Sequence, residues 1–166
     1  TLEEEDWAYL SSMALTLHWP RNNCLFVHGG FLPAIPWQEQ DASIVTRVRN
    51  ICHDGMPCKQ KDCPSGTFWA DNWDQKPFVV YGHSPQPSVV PKARSLGIDT
   101  GCVWGGKLTA YILPEKRLIQ VDARKKYIPW KSGCLSRMGD LMSAPMSSLI
   151  KPLIGFRDCL NPQSRM

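Results

Sequence analysis

Residues 24–30 read Cys-Leu-Phe-Val-His-Gly-Gly, and the rest of the chain is interpreted outward from this stretch. Apolar residues in succession, without polar alternation, are typical of a short strand that is covered on both faces. The strand delivers His28 to its end, and the two glycines that follow leave room around the imidazole. In sheets of this kind ligands gather beyond the strand ends, so we expect His28 to face a site there.

The same pattern recurs at residues 77–83, which read Pro-Phe-Val-Val-Tyr-Gly-His. Four apolar or aromatic residues again carry a histidine, His83, to a strand end next to a glycine. A neutral imidazole is the commonest metal ligand in proteins, and a pair of them at neighbouring strand ends favours a metal site. The alternative is that His28 and His83 are two unrelated strand-end histidines. The metal hypothesis therefore requires the two rings to meet in space.

Three motifs together resemble the calcineurin-like metallophosphoesterases. They are Leu-Phe-Val-His-Gly-Gly-Phe-Leu-Pro at 25–33, Val-Val-Tyr-Gly-His at 79–83 and Gly-Ile-Asp-Thr-Gly-Cys-Val-Trp-Gly-Gly-Lys-Leu-Thr-Ala at 97–110. The most similar branch is that of the ApaH-like phosphatases, related to diadenosine tetraphosphatase and to serine/threonine phosphoprotein phosphatases. The position after Gly-His-Ser is Pro85 rather than a second histidine, which matches this branch. The resemblance covers residues 1–125.

The resemblance implies an α/β fold, the C-terminal half of a metallophosphoesterase-type α/β sandwich with mixed sheets flanked by helices. Three family motifs that precede the Val-His-Gly-Gly strand, Gly-Asp-x-His, Gly-Asp-x-x-Asp-Arg-Gly and Gly-Asn-His-Glu, do not occur in this chain. We therefore expect residues 1–125 to be the latter half of a phosphoesterase domain. Residues 126–166, rich in Ser, Met and Pro, are expected to be a partly irregular accessory tail.

The resemblance also implies a function, metal-dependent hydrolysis of phosphoesters or phosphoanhydrides. His28 and His83 would hold one of two divalent ions, manganese, iron or zinc, and the other ligands would come from the motifs that this chain lacks. Expected substrates are phosphorylated small molecules, polyphosphate or phosphoproteins. Because two imidazoles do not bridge two ions, the chain alone is expected to be inactive. The alternative is a non-catalytic binding or scaffold protein derived from a phosphoesterase.

Further candidate residues flank the two histidines. Arg47 and Arg49 lie at the end of a helix predicted over residues 38–50, where a guanidinium would suit a phosphate group; a solvated helix face is the alternative. Asp99 either caps a tight turn or supports a metal-ligating histidine through a hydrogen bond.

A cysteine-rich loop offers a second metal hypothesis. Cys52, His53, Cys58 and Cys63 supply four soft donors within twelve residues. Structural zinc sites usually contain close pairs of ligands separated by two to four residues, and the longer spacing here favours a polar surface loop instead. A zinc-linked interaction module is the third functional alternative.

Composition limits the remaining possibilities. The net charge is +4, from 19 basic and 15 acidic residues that are interspersed, so specific nucleic-acid binding is not expected. No run approaches the roughly 20 apolar residues that span a bilayer, so no membrane association is expected. Seven cysteines, an odd number at irregular spacing, favour a reducing compartment and hence a cytoplasmic location. The apolar stripe Trp7, Leu10, Ala14 and Leu17 predicts a helix that Thr1 caps and Pro20 ends. A hairpin is predicted from 108–113 and 117–122.

Overall fold

A computed structural model describes residues 2–59 and 62–129 of the chain. Its main sheet has five strands in the order β1-β2-β6-β8-β7. The strands are β1 (Thr16–Trp19), β2 (Cys24–Val27), β6 (Phe78–Tyr81), β7 (Val90–Pro91) and β8 (Ser95–Gly97). β2, β6 and β8 are parallel, whereas the edge strands β1 and β7 run antiparallel to their neighbours. The sheet is therefore mixed, as predicted for this fold class.

Two small sheets and two helices complete the described part of the chain. The three-stranded sheet has the order β4-β3-β5, and the hairpin pairs β9 with β10. The bounds are α1 (Glu4–Ser12), α2 (Ala42–Arg47), β3 (Asn50–Ile51), β4 (Pro57–Cys58), β5 (Thr67–Phe68), β9 (Lys107–Ile112) and β10 (Arg117–Asp122). Neither helix is long and apolar enough to cross a lipid bilayer.

The register of β2 and β6 sets the position of both histidines. Leu25 pairs with Val79 and Val27 with Tyr81, so the two strands run side by side in the same direction. All four of these residues are buried, and Leu25 and Val79 have no exposed surface. Because the strands are parallel and in step, their carboxyl ends lie at the same edge of the sheet. The histidines that follow them emerge there together.

An aromatic cluster packs beneath this edge. The ring of Phe31, directly after the two glycines, stacks on Trp73 at a centroid distance of 5.1 Å, and Trp69 meets Tyr81 edge-on at 4.9 Å. Phe31 and Trp69 are completely buried. The Gly30 position has no room for a side chain, because a Cβ there would lie 2.2 Å from the Trp69 ring. The sequence around His28 is therefore anchored in the core from both sides.

The N-terminal prediction was wrong in part. α1 begins near the predicted position, with a capping box formed by Glu3 and Asp6, but it ends at Ser12. Leu17 lies in β1, where it pairs with Phe26, because strand pairing with β2 overrides the helical spacing of the apolar residues. The predicted cap Thr1 lies outside the described residues.

The predicted hairpin and the second predicted helix are both present in the structure. The hairpin predicted from 108–113 and 117–122 is confirmed as β9 and β10, with Ala110 opposite Ile119. The helix predicted over 38–50 is shorter: α2 begins after Asp41, whose side chain accepts a hydrogen bond from the Ser43 amide. Of the tail predicted at 126–166, only residues 126–129 are described, and residues 130–166 lie outside the described part of the chain.

Candidate metal and phosphate site

The two predicted histidines meet at the carboxyl ends of β2 and β6. His83 Nδ1 lies 3.1 Å from His28 Nε2, and the ring centroids are 4.9 Å apart with the ring planes inclined by 58°. His28 is exposed and His83 is half-buried, so the gap between the two nitrogens opens to solvent. The spatial meeting on which the metal hypothesis depends is thus confirmed, and the role of the pair as metal ligands stays a prediction.

A strained turn aims the second histidine at the first. His83 has a φ of +62°, a left-handed conformation that side-chain-bearing residues rarely adopt. The Ser84 amide donates to the Gly82 carbonyl at 2.6 Å, which closes a three-residue turn around His83. The Gly82 amide in turn donates to the His28 carbonyl at 3.1 Å and extends the β2–β6 ladder by one step. Strain of this kind clusters at functional sites, where it fixes a side chain's direction.

The backbone of Gly29 brings the end of α2 against the histidine pair. Its amide donates to the Val45 carbonyl at 2.7 Å, and a Cβ at this position would lie 2.8 Å from the Arg47 nitrogen. Only a residue without a side chain permits this approach. The segment that carries both predicted arginines therefore lies beside the imidazoles.

Arg49 reaches the site through its side chain. Its Nη2 donates to the carbonyl oxygen of His83 at 2.9 Å, while the residue itself remains exposed. Arg47 contributes through its backbone, which forms a hydrogen bond with the His83 ring. Of the two arginines predicted to bind a phosphate, Arg49 is the one whose guanidinium the structure brings to the histidines.

The surroundings favour the neutral form of His83. Burial lowers the pKa of the imidazole below its ordinary value, and the positive charge of Arg49 and the proximity of His28 lower it further. The hydrogen bond with the Arg47 backbone and the negative charge of Asp99 oppose the shift without cancelling it. A neutral imidazole has a free lone pair, which is the form that binds a metal.

Asp99 has the turn role. Its Oδ1 accepts a hydrogen bond from the Gly101 amide at 3.1 Å, which closes an Asx turn before the third family motif continues. Its carbonyl accepts from the Gln86 amide at 3.0 Å. The effect of Asp99 on His83 is electrostatic, so the structure supports the turn assignment directly and leaves the supporting role toward the metal ligand as a prediction.

The histidine pair has the geometry of two adjacent ligands on one ion. Zinc–nitrogen bonds of about 2.0–2.1 Å place two ligand nitrogens about 2.9 Å apart at a right angle and about 3.4 Å apart at the tetrahedral angle. The observed separation of 3.1 Å lies between these values. Within the described residues no third His, Cys, Asp or Glu completes a ligand-sized group with His28 and His83. The pair therefore fits as part of a metal site whose remaining ligands come from elsewhere.

The cysteines of the cysteine-rich loop lie closer together in space than their separation along the sequence predicts. Cys52, Cys58 and Cys63 place their sulfurs within 4.8 Å of one another, so three of the four predicted zinc donors are gathered. His53 is not a member of this group. Hydrogen bonds lower the pKa of the Cys63 thiol, chiefly the bond with Cys52. The linear sequence missed the cluster because strand pairing in β4-β3-β5, which brings the cysteines together, is not visible in ligand spacing.

Part of the chain is similar in sequence to curated nucleotide phosphatases. It is 45% identical over 65 residues to a bis(5'-nucleosyl)-tetraphosphatase PrpE (asymmetrical) of Oceanobacillus iheyensis, covering 38% of this chain and 25% of that protein. The enzyme of the same name from Geobacillus sp. strain WCH70 is 39% identical over 80 residues, covering 47% of this chain and 29% of the relative. No family model matches the chain.

A solved structure agrees with these relatives. The crystal structure of a protein provisionally identified as a diadenosine tetraphosphatase superposes with a TM-score of 0.65 at 26% sequence identity. The match covers 74% of this chain and 57% of that one, and the matches to the two curated relatives cover little more than a quarter of their length. In fold and over part of its sequence the chain is therefore similar to these tetraphosphatases, in agreement with its resemblance to the ApaH-like branch of the calcineurin-like metallophosphoesterases.

Proposed function

We propose that this chain supplies the second half of a metal-dependent phosphoanhydride hydrolase that acts on phosphorylated nucleotides. The observation that carries the proposal is the 3.1 Å approach of His83 Nδ1 to His28 Nε2, at the end of two parallel strands and open to solvent. The relatives are named as bis(5'-nucleosyl)-tetraphosphatases, which supports a substrate with linked phosphates.

In this proposal each residue of the site has one task. His28 and His83 hold one divalent ion of a two-metal centre as neutral imidazoles, and manganese, iron and zinc are the candidates. A divalent ion there would act as a Lewis acid on a phosphoryl oxygen. Arg49, fixed by its bond to the His83 carbonyl, offers its remaining N–H groups to a phosphate oxygen. By the family resemblance, the remaining ligands would be carboxylates and an amide from the motifs that do not occur in this sequence.

Metal binding can be tested on the chain as it stands. We expect the chain to bind one manganese ion at the histidine pair and expect His28→Ala and His83→Ala each to weaken that binding by about 100-fold. The control is His18→Ala, because the His18 ring lies against Trp37 at 5.1 Å in a different contact. Calorimetric titration with manganese measures all four proteins. Equal affinity for His28→Ala and the unmodified chain would refute the metal role.

The arginine assignment has its own test. Arg49→Met should weaken the binding of inorganic phosphate to the manganese-loaded chain by about 10- to 150-fold, since a charge-assisted hydrogen bond contributes about 1.5–3 kcal/mol. Arg47→Met keeps the backbone contact with His83 and should change phosphate affinity by less than about 2-fold. A larger loss in Arg47→Met than in Arg49→Met would show that the guanidinium assignment is wrong.

Hydrolysis distinguishes the enzyme from the scaffold alternative. The chain alone is expected to show no manganese-dependent hydrolysis of diadenosine tetraphosphate, because the described residues supply two imidazoles and no carboxylate in the same group. A protein that joins these 166 residues to the three absent family motifs is expected to hydrolyse it and to lose that activity on His28→Ala. If that protein is folded but shows no hydrolysis either with or without manganese, the result would favour a non-catalytic scaffold.

We also propose a reducing, cytoplasmic setting. Cys24, Cys52, Cys58, Cys63 and Cys102 are free thiols in the described part of the chain. Three of them lie close together without a disulfide, and close thiols persist unoxidised in a reducing compartment.

A further inference from the structure

The described residues between 50 and 68 form a small lobe, here called the cysteine lobe. Its three strands have only two residues each: Asn50 pairs with Cys58 and Phe68, and Ile51 pairs with Pro57 and Thr67. Strands this short offer few backbone hydrogen bonds, so the sheet alone contributes little stability. Something else must hold the lobe in its observed shape.

Apart from Ile51 and Phe68, which pack into the main hydrophobic core, the interior of the cysteine lobe consists of sulfur. Among the described residues between 52 and 67, every residue is exposed except Cys52, Cys58, Cys63 and Gly66. The lobe therefore has no apolar core of its own. Small units without a core are normally held by disulfides or by a structural metal.

The three thiols come from three separate segments and converge on one point. Cys52 follows β3, Cys58 lies in β4 and Cys63 lies in the turn before β5, and all three sulfurs are within 4.8 Å of one another. Zinc–sulfur bonds of about 2.3 Å place two thiolates about 3.8 Å apart in a tetrahedral site. Small side-chain adjustments therefore suffice for all three to bind one ion.

The turn after Cys63 is built closely around the sulfurs. The Gly66 amide donates to the Cys63 carbonyl at 3.0 Å, and the Ser65 hydroxyl lies 3.9 Å from the Cys63 sulfur. A Cβ on Gly66 would lie 2.9 Å from the Cys58 sulfur, so the glycine lets the backbone close over that thiol. A similar turn closes at Cys52, where the Gly55 amide donates to the Cys52 carbonyl at 3.0 Å. Two turns thus direct thiols inward although solvent is available to them.

We propose that Cys52, Cys58 and Cys63 bind a structural zinc ion through their three sulfurs, with water or the adjacent His53 in the fourth position. Thiolates are soft ligands, and zinc prefers them in four-coordinate tetrahedral sites. The main rival is a disulfide between two of the thiols, which would leave the third unused. A zinc ion uses all three sulfurs.

The zinc would also fix the base of the lobe, next to the candidate active site. Arg49 directly precedes β3, and its carbonyl accepts a hydrogen bond from the Trp69 amide, just after β5, at 3.0 Å. The two chain ends of the lobe are thus joined at the residue whose guanidinium bonds to the His83 carbonyl. Release of the zinc is therefore expected to loosen Arg49.

Metal analysis of the 166-residue chain tests the proposal. To remove the other metal site, His28→Ala/His83→Ala serves as the background, and bound zinc is measured by inductively coupled plasma mass spectrometry after removal of free ions. We expect one zinc per chain, lost in Cys58→Ser and in Cys63→Ser and retained in the matched control Cys102→Ser. Zinc retained in both lobe variants, or absent from the background protein, would overturn the proposal.

Cobalt substitution identifies the ligands. A cobalt-loaded chain should show the near-ultraviolet charge-transfer bands of cobalt–thiolate bonds, reduced in each lobe variant and unchanged in Cys102→Ser. His53→Ala should alter the visible d–d bands if the imidazole is the fourth ligand and should leave them unchanged if water is. The absence of thiolate charge transfer from the cobalt-loaded chain would refute binding by these cysteines.

A measurement on the unmodified chain covers the case in which the cysteine variants fail to fold. Stepwise titration with an organomercurial reagent, followed by a zinc-sensitive dye, should release one zinc as the three lobe thiols react. Intact mass spectrometry without reductant should show no disulfide. A disulfide between any two lobe cysteines, or thiols that react without releasing zinc, would overturn the proposal.

Discussion

The two glycines beside the histidines should respond oppositely to the same substitution. Gly29 follows His28 and Gly82 precedes His83, and neither has a positive φ, so alanine is compatible with the backbone conformation at both positions. Their surroundings differ. A Cβ at Gly29 would lie 2.8 Å from the Arg47 nitrogen and 2.9 Å from the Val45 carbonyl oxygen, whereas a Cβ at Gly82 would have its nearest contact at 3.7 Å, with the His28 carbonyl oxygen.

The expected magnitudes follow from these contacts. Backbone atoms of α2 cannot move away from Gly29 as a flexible side chain could, so Gly29→Ala should cost about 1–3 kcal/mol in the free energy of unfolding. Gly82→Ala meets only ordinary van der Waals contact and removes conformational freedom from the unfolded chain, which should stabilise the protein by about 0.4–1 kcal/mol. For a chain of this size 1 kcal/mol corresponds to a change of about 2–4 °C in Tm.

Thermal unfolding followed by circular dichroism measures the difference. We expect Gly29→Ala to melt about 2–12 °C below the unmodified chain and Gly82→Ala to melt at or slightly above it. Because the Gly29 contact positions the segment before Arg49, Gly29→Ala should also weaken phosphate binding to the manganese-loaded chain. Equal Tm values for the two variants would refute the argument that α2 is positioned through the Gly29 backbone.

Three further predictions concern the core, the strained turn and a buried thiol. Leu25→Ala, in the centre of the sheet, should lower the free energy of unfolding by about 2–5 kcal/mol in urea titration, whereas Leu17→Ala on exposed β1 should change it by less than about 0.5 kcal/mol; similar losses would contradict the assigned core. His83→Gly should be more stable than His83→Ala by about 1 kcal/mol because only glycine relieves the positive φ, and a lower Tm for the glycine variant would argue against strain. Burial raises the pKa of the Cys24 thiol to about 11 from 9.0, so the folded chain keeps the proton that the unfolded chain loses. Stability should therefore fall as pH rises from 9 toward 11, and urea titrations at about pH 8 and about pH 10 should show a smaller fall in Cys24→Ala.

The central part of the fold was predictable from local patterns. Apolar runs before His28 and His83 identify β2 and β6, and because both were expected to be buried strands, a common sheet edge was the natural arrangement. The hairpin β9–β10 was predictable for the same reason, since its pairing is local. The helix predicted from apolar spacing was wrong at Leu17, which lies in β1. The hydrogen bonds of β1 are made with β2, and the periodicity of residues 7–17 carries no information about that partner.

The parts of the candidate site that depend on local sequence patterns were predictable. A histidine next to a glycine at a strand end is visible in the sequence, but the positive φ of His83 and the bond from Arg49 to its carbonyl depend on tertiary contacts. The sequence left Arg47 and Arg49 equivalent, and the hydrogen bond from the Arg49 guanidinium to the His83 carbonyl distinguishes them. The cysteine cluster was underestimated because the separation of ligands along the chain does not report their separation across β3 and β4.

The in-step alignment of β2 with β6 has a consequence for how the protein can be observed. The imidazoles meet only when Val27 stands opposite Tyr81, so a chain that has lost this alignment offers two separate histidines and not a chelate. A divalent cation would then be a reporter of correct registration, and by mass action it would raise the free energy of unfolding by about 2.7 kcal/mol at a hundred times its dissociation constant. A rise of the unfolding midpoint with manganese concentration would thus report that β2 and β6 are correctly aligned, and the measurement needs no substrate.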